Sequence, residues 1–197
     1  MRDRSVIRET PIVALLKTVF WQRLDLPGSE VALLREEPDA WVIEGLVLVA
    51  IDRTPARLEY RVQCDRSWRT TIATVQGMVG DRLVACDIHS DTQGHWWLNG
   101  VQVPSVDGAL DVDLAFTPST NLLPLRRSPL SQGETMSVRA AWLTFPAFRL
   151  GPLDQSYKRL GDRQYHYKSS SFEAELIVDD LGLMERYGDV WIVKAEA

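Results

Sequence analysis

Alternation of apolar and polar residues is the feature of this chain that most constrains its fold. In residues 57–64 every second residue is apolar, and residues 68–76, 82–89 and 172–178 show the same pattern. Successive side chains of a strand point to opposite faces of a sheet, so a period of two predicts half-buried β-strands. The pattern therefore predicts a mainly β protein.

Turn-forming residues separate these segments at short intervals. The sharpest signal is Asn99-Gly100, which lies between residues 96–98 and 101–103. Both residues accept positive φ, so a two-residue type I′ hairpin turn is expected there. Closely spaced turns indicate an antiparallel sheet in a single domain. A sheet of more than about ten strands curls, so we expect either a closed barrel or a half-barrel.

Few segments have helical periodicity. The candidates are residues 10–21 and a short turn near residues 154–160. With so little helix to cover a curved sheet, its concave face is expected to be apolar and open enough to form a cavity. Such a cavity would suit an apolar ligand.

The seven tryptophans are spread along the predicted strands, where they can either line such a cavity or fill the core. Trp96 and Trp97 are adjacent, so they point to opposite faces and one of them lies on the less buried face. An exposed aromatic side chain often marks a ligand or a partner. The sequence leaves both roles open for each tryptophan.

Charge and cysteine content exclude several classes of protein. The formal net charge of −5 disfavours binding to nucleic acid or to an anionic membrane. Cys64 and Cys86 are too few for a disulfide framework and are expected to be small buried apolar side chains. No signal-peptide pattern and no run of about 18 apolar residues is visible. We therefore expect a cytoplasmic protein without a transmembrane segment.

Two acidic residues form the first candidate site. In residues 110–116, Asp111 and Asp113 share one face of a strand, roughly 6.5 Å apart along the strand axis. Two carboxylates can serve as an acid and a base, as in glycoside hydrolysis. They can equally form the solvated face of an amphipathic strand. If the pair is catalytic, the protein is an enzyme that acts on a sugar or a lipid head group, with Asp111 and Asp113 as its acid and base.

The segment that follows offers many hydrogen-bonding groups. Its hydroxyls and amide suit a polar head group, and Pro118 and Pro124 restrict its backbone. Arg126 and Arg127 match the geometry of carboxylates and phosphates. The alternative is an internal ion pair between one of these arginines and Asp111 or Asp113, and the two roles can coexist. The polar side chains are those of Thr117, Ser119, Thr120 and Asn121.

This stretch, from Asp-Val-Asp-Leu at residues 111–114 to Arg126-Arg127, resembles the signature of a bacterial family described as "putative glycolipid-binding" proteins. Other pieces of the pattern agree in order along the chain, from residue 21 to residue 193. They are Trp41 with Glu44-Gly45, Tyr60, Asp65 with Trp68-Arg69, Trp97 with Asn99-Gly100, Pro146, Gln155, Tyr157, Val178-Asp179, Gly182 and Tyr187.

The resemblance implies a β-rich fold similar in shape to the half-barrels that carry lipoproteins in the periplasm. It implies one domain over residues 19–197, with residues 1–18 as an N-terminal extension. It also implies a non-catalytic protein that binds a glycolipid or a similar amphipathic molecule on an apolar concave face. The expected ligand-binding residues are Asp111, Asp113, Thr117, Thr120, Asn121, Arg126, Arg127, Trp68 and Trp97.

The remaining motifs give no sign of catalysis. Residues 87–95 contain two histidines and two aspartates, but their spacing matches no compact set of metal ligands. His166 has no serine or cysteine at motif distance, and no Gly-x-Ser-x-Gly segment occurs. We therefore expect no metal and no cofactor, and an enzyme using Asp111 and Asp113 remains the alternative to a binding protein.

Overall fold

The structure is a computed structural model that describes residues 14–197. These residues form one large, curved, unclosed sheet of fifteen strands with one short helix, α1 (Leu122–Arg127). The prediction of a mainly β, single-domain, antiparallel and strongly curved sheet is confirmed. The strands are β1 (Ala14–Arg23), β2 (Gly28–Glu37), β3 (Ala40–Ile51), β4 (Thr54–Cys64), β5 (Thr70–Val79), β6 (Arg82–Ser90), β7 (Trp96–Leu98), β8 (Val101–Gln102), β9 (Asp111–Leu114), β10 (Thr135–Leu143), β11 (Leu150–Arg159), β12 (Gln164–Ser169), β13 (Glu173–Val178), β14 (Met184–Tyr187) and β15 (Trp191–Glu196).

The sheet is built outward from β1. Strands β2 to β8 follow one another on one side of β1, and β15 back to β9 follow on its other side. Neighbouring strands are antiparallel except β9 and β10, which are parallel. The chain therefore leaves one end of the sheet at β8 and crosses to the opposite end at β9.

The side chains that are buried in the strands follow the predicted alternation. In β4 the inward side chains of Leu58, Tyr60, Val62 and Cys64 are buried, as the pattern predicts. Both cysteines are buried and free. The Asn99-Gly100 hairpin is also confirmed, because both residues have positive φ and join β7 to β8.

The two helix predictions are wrong for the described residues. Residues 14–21 belong to β1, where Val19 and Trp21 are buried and Phe20 is exposed. Aromatic and β-branched side chains favour the pleated backbone, and β2 and β15 complete its hydrogen bonds. Residues 154–160 fall largely in β11, which alternates in the same way. Residues 1–13, which include most of the predicted extension, lie outside the described residues.

A segment from the β9–β10 connection occupies the concave side of the sheet. Phe116, Leu122 and Leu123 are completely buried there. Gly182, at a φ of +91°, makes room for this segment, since a Cβ added at Gly182 would lie 2.8 Å from Cδ1 of Leu122. The tryptophans Trp21, Trp96 and Trp191 are buried in the same core rather than in an open cavity.

Backbone amides at the free edge of β9 donate hydrogen bonds to threonine side chains instead of to another strand. The amide of Val112 donates to Oγ1 of Thr70, and the amide of Leu114 donates to Oγ1 of Thr120. Thr70 also donates its own amide to the carbonyl of Leu110 at 3.0 Å. These bonds bring the start of β9 against the start of β5 and cover an edge that would otherwise invite aggregation. Among residues 14–197, no helix has the length and apolar character needed to cross a bilayer.

Candidate functional site

The segment of residues 117–127, whose polar side chains were expected to contact a head group, is mostly helical. Ser119–Asn121 forms a 3-10 turn that leads directly into α1. Pro124 is accommodated because the first amides of a helix have no partner within the helix. The four polar side chains of this segment are buried rather than presented to solvent. They are Thr117, Ser119, Thr120 and Asn121.

The first polar group of the interior, the Glu30 cluster, consists of Glu30, Tyr60, Thr117 and Ser119. Oε1 of Glu30 accepts hydrogen bonds from the hydroxyl of Tyr60 at 2.5 Å and from that of Thr117 at 2.7 Å. The Tyr60 hydroxyl lies 2.7 Å from Oγ of Ser119. Oε2 of Glu30 is buried and has no partner among the described residues.

Burial raises the pKa of Glu30 to about 8, against the opposing effect of its two hydroxyl partners. Desolvation disfavours the charged form of a carboxyl, and no cation bonds to Glu30 to compensate within residues 14–197. Glu30 is therefore mainly protonated at neutral pH. As a neutral acid it links β2 and β4 to the segment that fills the concave side.

Gly45 makes the Glu30 cluster possible. It lies opposite Tyr60 in the β3–β4 ladder. A Cβ added at Gly45 would lie 2.4 to 2.6 Å from ring atoms and the hydroxyl of Tyr60. The Tyr60 ring thus lies across the bare backbone of Gly45 and reaches Glu30 on β2. Only glycine at position 45 permits this route.

The second polar group, the Asp113 cluster, consists of Asp113 with Gln155, Tyr157 and Tyr167, and of the neighbouring ion pair between Asp111 and Arg127. Arg127 of α1 donates to both carboxylate oxygens of Asp111, at 2.5 and 3.2 Å. Asp111 is 2% exposed, and the side chain of Arg127 is 14% exposed. An internal ion pair of this kind is the expected alternative to ligand binding by the two arginines. It fixes the end of α1 to the first residue of β9.

Asp113 has a different environment from Asp111. Its Oδ2 accepts a 2.5 Å hydrogen bond from Nε2 of Gln155, which also donates to the hydroxyl of Tyr167. Burial raises the pKa of Asp113 to about 6, and the charge of Asp111 adds to that effect. The side chain is nevertheless only half-buried. Asp113 therefore keeps some contact with solvent, and its Oδ1 has no hydrogen-bond partner among residues 14–197.

Asn121 joins the helical segment to the Asp113 cluster. Its Oδ1 accepts a hydrogen bond from the hydroxyl of Tyr157 at 2.9 Å, and its Nδ2 donates to the carbonyl of Pro118. Residues 117–121 thus bond to Glu30 on one half of the sheet and to Tyr157 on the other half. The segment bridges the two halves of the curved sheet through buried polar contacts.

Trp68 and Arg126 meet at one end of the molecule. The Arg126 guanidinium lies 5.2 Å from the centre of the Trp68 ring. Trp68 stacks on Trp41 at 4.6 Å with an interplanar angle of 8°, and Arg66 covers the other face of Trp41. Arg126 is exposed and has no carboxylate partner among residues 14–197. Its charge is available to a ligand.

Trp97 lies apart from the other predicted ligand-binding residues. Trp96 is the buried member of the adjacent pair, and its Nε1 donates to the carbonyl of Ala109. Trp97 is half-buried on the opposite face, where it stacks on His89 at 4.6 Å. The prediction that one of the two lies on a less buried face is confirmed.

Two polar depressions flank Gly108. The seam cleft, of about 260 Å³, lies where β9 approaches β5 and is lined by Asp65, Arg69, Ser90, Asp91, Gln93 and Gly108 among others. The Gln155 groove, of about 640 Å³, runs along β10 to β12 and includes Val138, Gln155 and Ser169. A separate apolar groove of about 570 Å³ lies on the outer face of β2 to β5 and includes Val31 and Leu46.

Several residues of these clusters were not predicted as ligand-binding residues from the sequence. Glu30 carries a usable signal, because it occupies an inward position of the alternating strand that also buries Ala32 and Leu34. Gln155 and Tyr157 likewise alternate inward in β11. Polar residues at predicted core positions are the pattern that would have identified them.

Known proteins share both the sequence pattern and the fold of this chain. The profile of the family described as "Putative glycolipid-binding" matches residues 18–192. Among solved structures, the chain is similar to the crystal structure of a DUF1089 family protein from Pseudomonas aeruginosa, with 31% sequence identity and a TM-score of 0.71. That similarity covers 80% of this chain and 88% of the other. A search of curated proteins gave no match.

Proposed function

This chain belongs to the "Putative glycolipid-binding" family, and from that premise we propose that it binds a glycolipid or a similar amphipathic molecule without catalysing its conversion. The family name supports a binding role. The chemical character of the inward face supports the amphipathic ligand.

The observation that carries the proposal is the mixed character of the inward face of β10 to β12. Met136 and Val138 are half-buried apolar side chains, and they pair across the ladder with Tyr157 and Gln155. Gln155 in turn holds the half-buried carboxylate of Asp113. Apolar side chains with a few convergent polar groups are the usual lining of a small-molecule site. An acyl chain would lie over Met136 and Val138, with its polar end toward Asp113.

The contacts of the predicted site residues separate those that hold the segment in position from those that contact the ligand. Thr117, Thr120 and Asn121 are buried and bonded within the chain, so in this proposal they hold the segment in position. Asp113 and Arg126 have groups free of protein partners among residues 14–197, and they contact the polar end of the ligand. The binding energy comes mainly from the apolar chain, because each buried methylene contributes roughly 0.8 kcal/mol.

The contacts of Asp111 favour binding over catalysis. An acid and base pair needs both carboxyl groups within reach of the reacting atoms. Both oxygens of Asp111 are engaged by Arg127, and the residue is almost completely buried. Of the two carboxylates, only that of Asp113 keeps an oxygen, Oδ1, without a hydrogen-bond partner among residues 14–197. In this proposal Asp111 is a structural residue.

Native mass spectrometry of the full chain tests the proposal. The protein would be incubated with phosphatidylcholine vesicles that carry a monoglycosyl diacylglycerol, and with vesicles of phosphatidylcholine alone. We expect a one-to-one adduct with the glycolipid. Met136→Glu should abolish the adduct, because it places a charge beside the acyl chain. Thr135→Glu is the matched control, since Thr135 is exposed and points outward on the same strand.

A second variant separates the inward face from the outer groove. Leu46 lines the outer groove and is 36% exposed on the outer face of β3. Loss of the adduct in Leu46→Glu with retention in Met136→Glu would overturn the inward site. The absence of any lipid adduct in the unmodified protein would overturn the proposed function itself.

A further inference from the structure

We infer that the seam cleft is a separate binding site for a neutral sugar ring. The cleft is walled by three segments: the β4–β5 turn, the β6–β7 turn and the connection that leads into β9. Its volume of about 260 Å³ is just below the range of pockets that hold drug-sized molecules. A single ring is the size of ligand that it suits. The inference goes beyond the proposed lipid site and stands without it.

The walls of the cleft are held by two aspartates in the same way. Oδ1 of Asp65 accepts the amides of Ser67 and Arg69, at 2.8 and 2.9 Å. Oδ1 of Asp91 accepts the amides of Gln93 and His95, both at 2.9 Å. Each carboxylate thus uses one oxygen to fix its own turn. The cleft is preorganised, which lowers the cost of binding a small molecule.

Other polar groups of these walls are free to bind. Oδ2 of Asp65, the guanidinium of Arg69 and the side chain of Gln93 have no hydrogen-bond partner among residues 14–197. Asp65 supplies an acceptor, Arg69 supplies donors, and Gln93 supplies both. Free acceptors and donors therefore stand side by side in one small cleft.

This combination selects the chemical class of the ligand. A sugar hydroxyl both donates and accepts a hydrogen bond, as does every serine or threonine hydroxyl. The two carboxylates, Asp65 and Asp91, outnumber the guanidinium of Arg69, so an anion is repelled overall, and a cation would leave the Arg69 donors without an acceptor. The neutral, polyhydroxylated ring matches both kinds of group without an unpaired charge.

Two glycines leave the floor of the cleft without side chains. The amide of Gly108 donates to the carbonyl of Gly94 at 2.8 Å, and both residues line the cleft. Both have positive φ, so a larger residue would be strained at either position. A ring can therefore approach the backbone closely. The aromatic rings of Trp68 and Trp96 are buried in the core, so they cannot stack on the sugar. Binding then depends on hydrogen bonds alone, and we expect a weak affinity.

Titration of the isotope-labelled full chain, followed by proton–nitrogen correlation NMR, tests the inference. The probes are methyl α-glucoside, methyl β-galactoside and methyl α-mannoside, with glycine and inorganic phosphate as charged comparisons. We expect at least one glycoside to give saturable shifts of the amides of residues 65–69 and 91–94. Arg69→Gln should weaken that binding at least tenfold. Asp65→Asn keeps the Oδ1 acceptor that fixes the turn, and should weaken binding several-fold without altering the spectrum elsewhere.

Arg149→Gln is the control, because Arg149 is exposed and does not line the cleft. It should bind the glycoside as the unmodified protein does. The inference is overturned if no glycoside gives saturable shifts, if Arg69→Gln binds as the unmodified protein does, or if only glycine or phosphate binds. Failure of the lipid adduct described above leaves these glycoside results unaffected, so the two proposals fail separately.

Discussion

The hydroxyl of Tyr60 donates a 2.5 Å hydrogen bond to Oε1 of Glu30, across the bare backbone of Gly45. Glu30 also accepts from Thr117, so a protonated carboxyl stands at the point where the sheet meets the segment that fills its concave side. A neutral acid can occupy such a position because it does not carry the desolvation cost of a charge. The arrangement makes stability depend on the protonation of Glu30.

We expect Glu30→Gln to remove part of the pH dependence of stability. The ordinary pKa of 4.5 rises to about 8 in the folded protein, so the folded state binds this proton more tightly than the unfolded state. Its stabilising contribution is complete below pH 4.5 and is lost as the pH rises through 8, by at most about 1.4 kcal/mol per pH unit. Glutamine keeps the acceptor for Tyr60 and Thr117 and has no proton to lose.

Urea unfolding of both proteins between pH 6.5 and pH 8.5 checks this expectation. Asp113, whose pKa is raised to about 6, is present in both proteins, so its titration cancels from the difference between them. The free energy of unfolding of Glu30→Gln should rise relative to that of the unmodified protein as the pH increases. Parallel pH profiles for the two proteins would show that Glu30 does not hold its proton.

We expect Gly45→Ala to be strongly destabilising. The added Cβ would overlap the Tyr60 ring, and overpacking of a core typically costs about 1–3 kcal/mol. A double-mutant cycle with Tyr60→Ala measures the overlap, because the cost of Gly45→Ala should vanish once the ring is removed. Gly151→Ala is the control, since a Cβ added at Gly151 has no atom within 4 Å. Equal costs of Gly45→Ala with and without the ring would disprove the overlap.

The same substitution should cost much more stability at Asp111 than at Asp113, the two aspartates of β9. Asp111→Asn leaves the largely buried guanidinium of Arg127 without its counter-charge, which should cost about 3 kcal/mol. Asp113→Asn keeps an acceptor for Gln155 and removes a charge that burial disfavours, so stability at pH 7 should change by less than about 1 kcal/mol. The melting temperatures of both variants, measured by thermal unfolding, test this difference. Equal melting temperatures would contradict the assignment of Asp111 as the structural residue.

The strands were predictable because their burial follows from a local pattern. In β4 and β6 one face meets the core and the other meets solvent, so period two identifies the inward residues. The fold of residues 117–127 was not predictable in this way, because the segment is surrounded by both halves of the sheet. Its helical turn depends on contacts with Glu30 and Tyr157, which are distant in sequence.

The contacts within the candidate site were only partly predictable from the sequence. The motif from Asp111 to Arg127 predicts a ligand-binding segment, and this stays a prediction, while the ion pair of Arg127 with Asp111 is one of the two roles expected for the arginines. The sequence does not say which arginine pairs with which aspartate, because that depends on where α1 ends relative to β9. The hydrogen bond of Asp113 with Gln155 depends in turn on the register of β10 and β11.

The adjacent arginines Arg126 and Arg127 should separate ligand binding from stability. Arg127→Gln breaks the pair with Asp111 and should lower the free energy of unfolding by about 3 kcal/mol. Arg126→Gln removes only an exposed contact with the Trp68 ring, worth about 0.5–1 kcal/mol. Because the Arg126 charge has no carboxylate partner among residues 14–197, its removal should instead weaken uptake of the glycolipid. Urea unfolding and native mass spectrometry on the same two variants measure both effects. If Arg126→Gln retained full uptake, the polar end of the ligand would have to be placed elsewhere, while an equal loss of stability in both variants would contradict the ion-pair assignment.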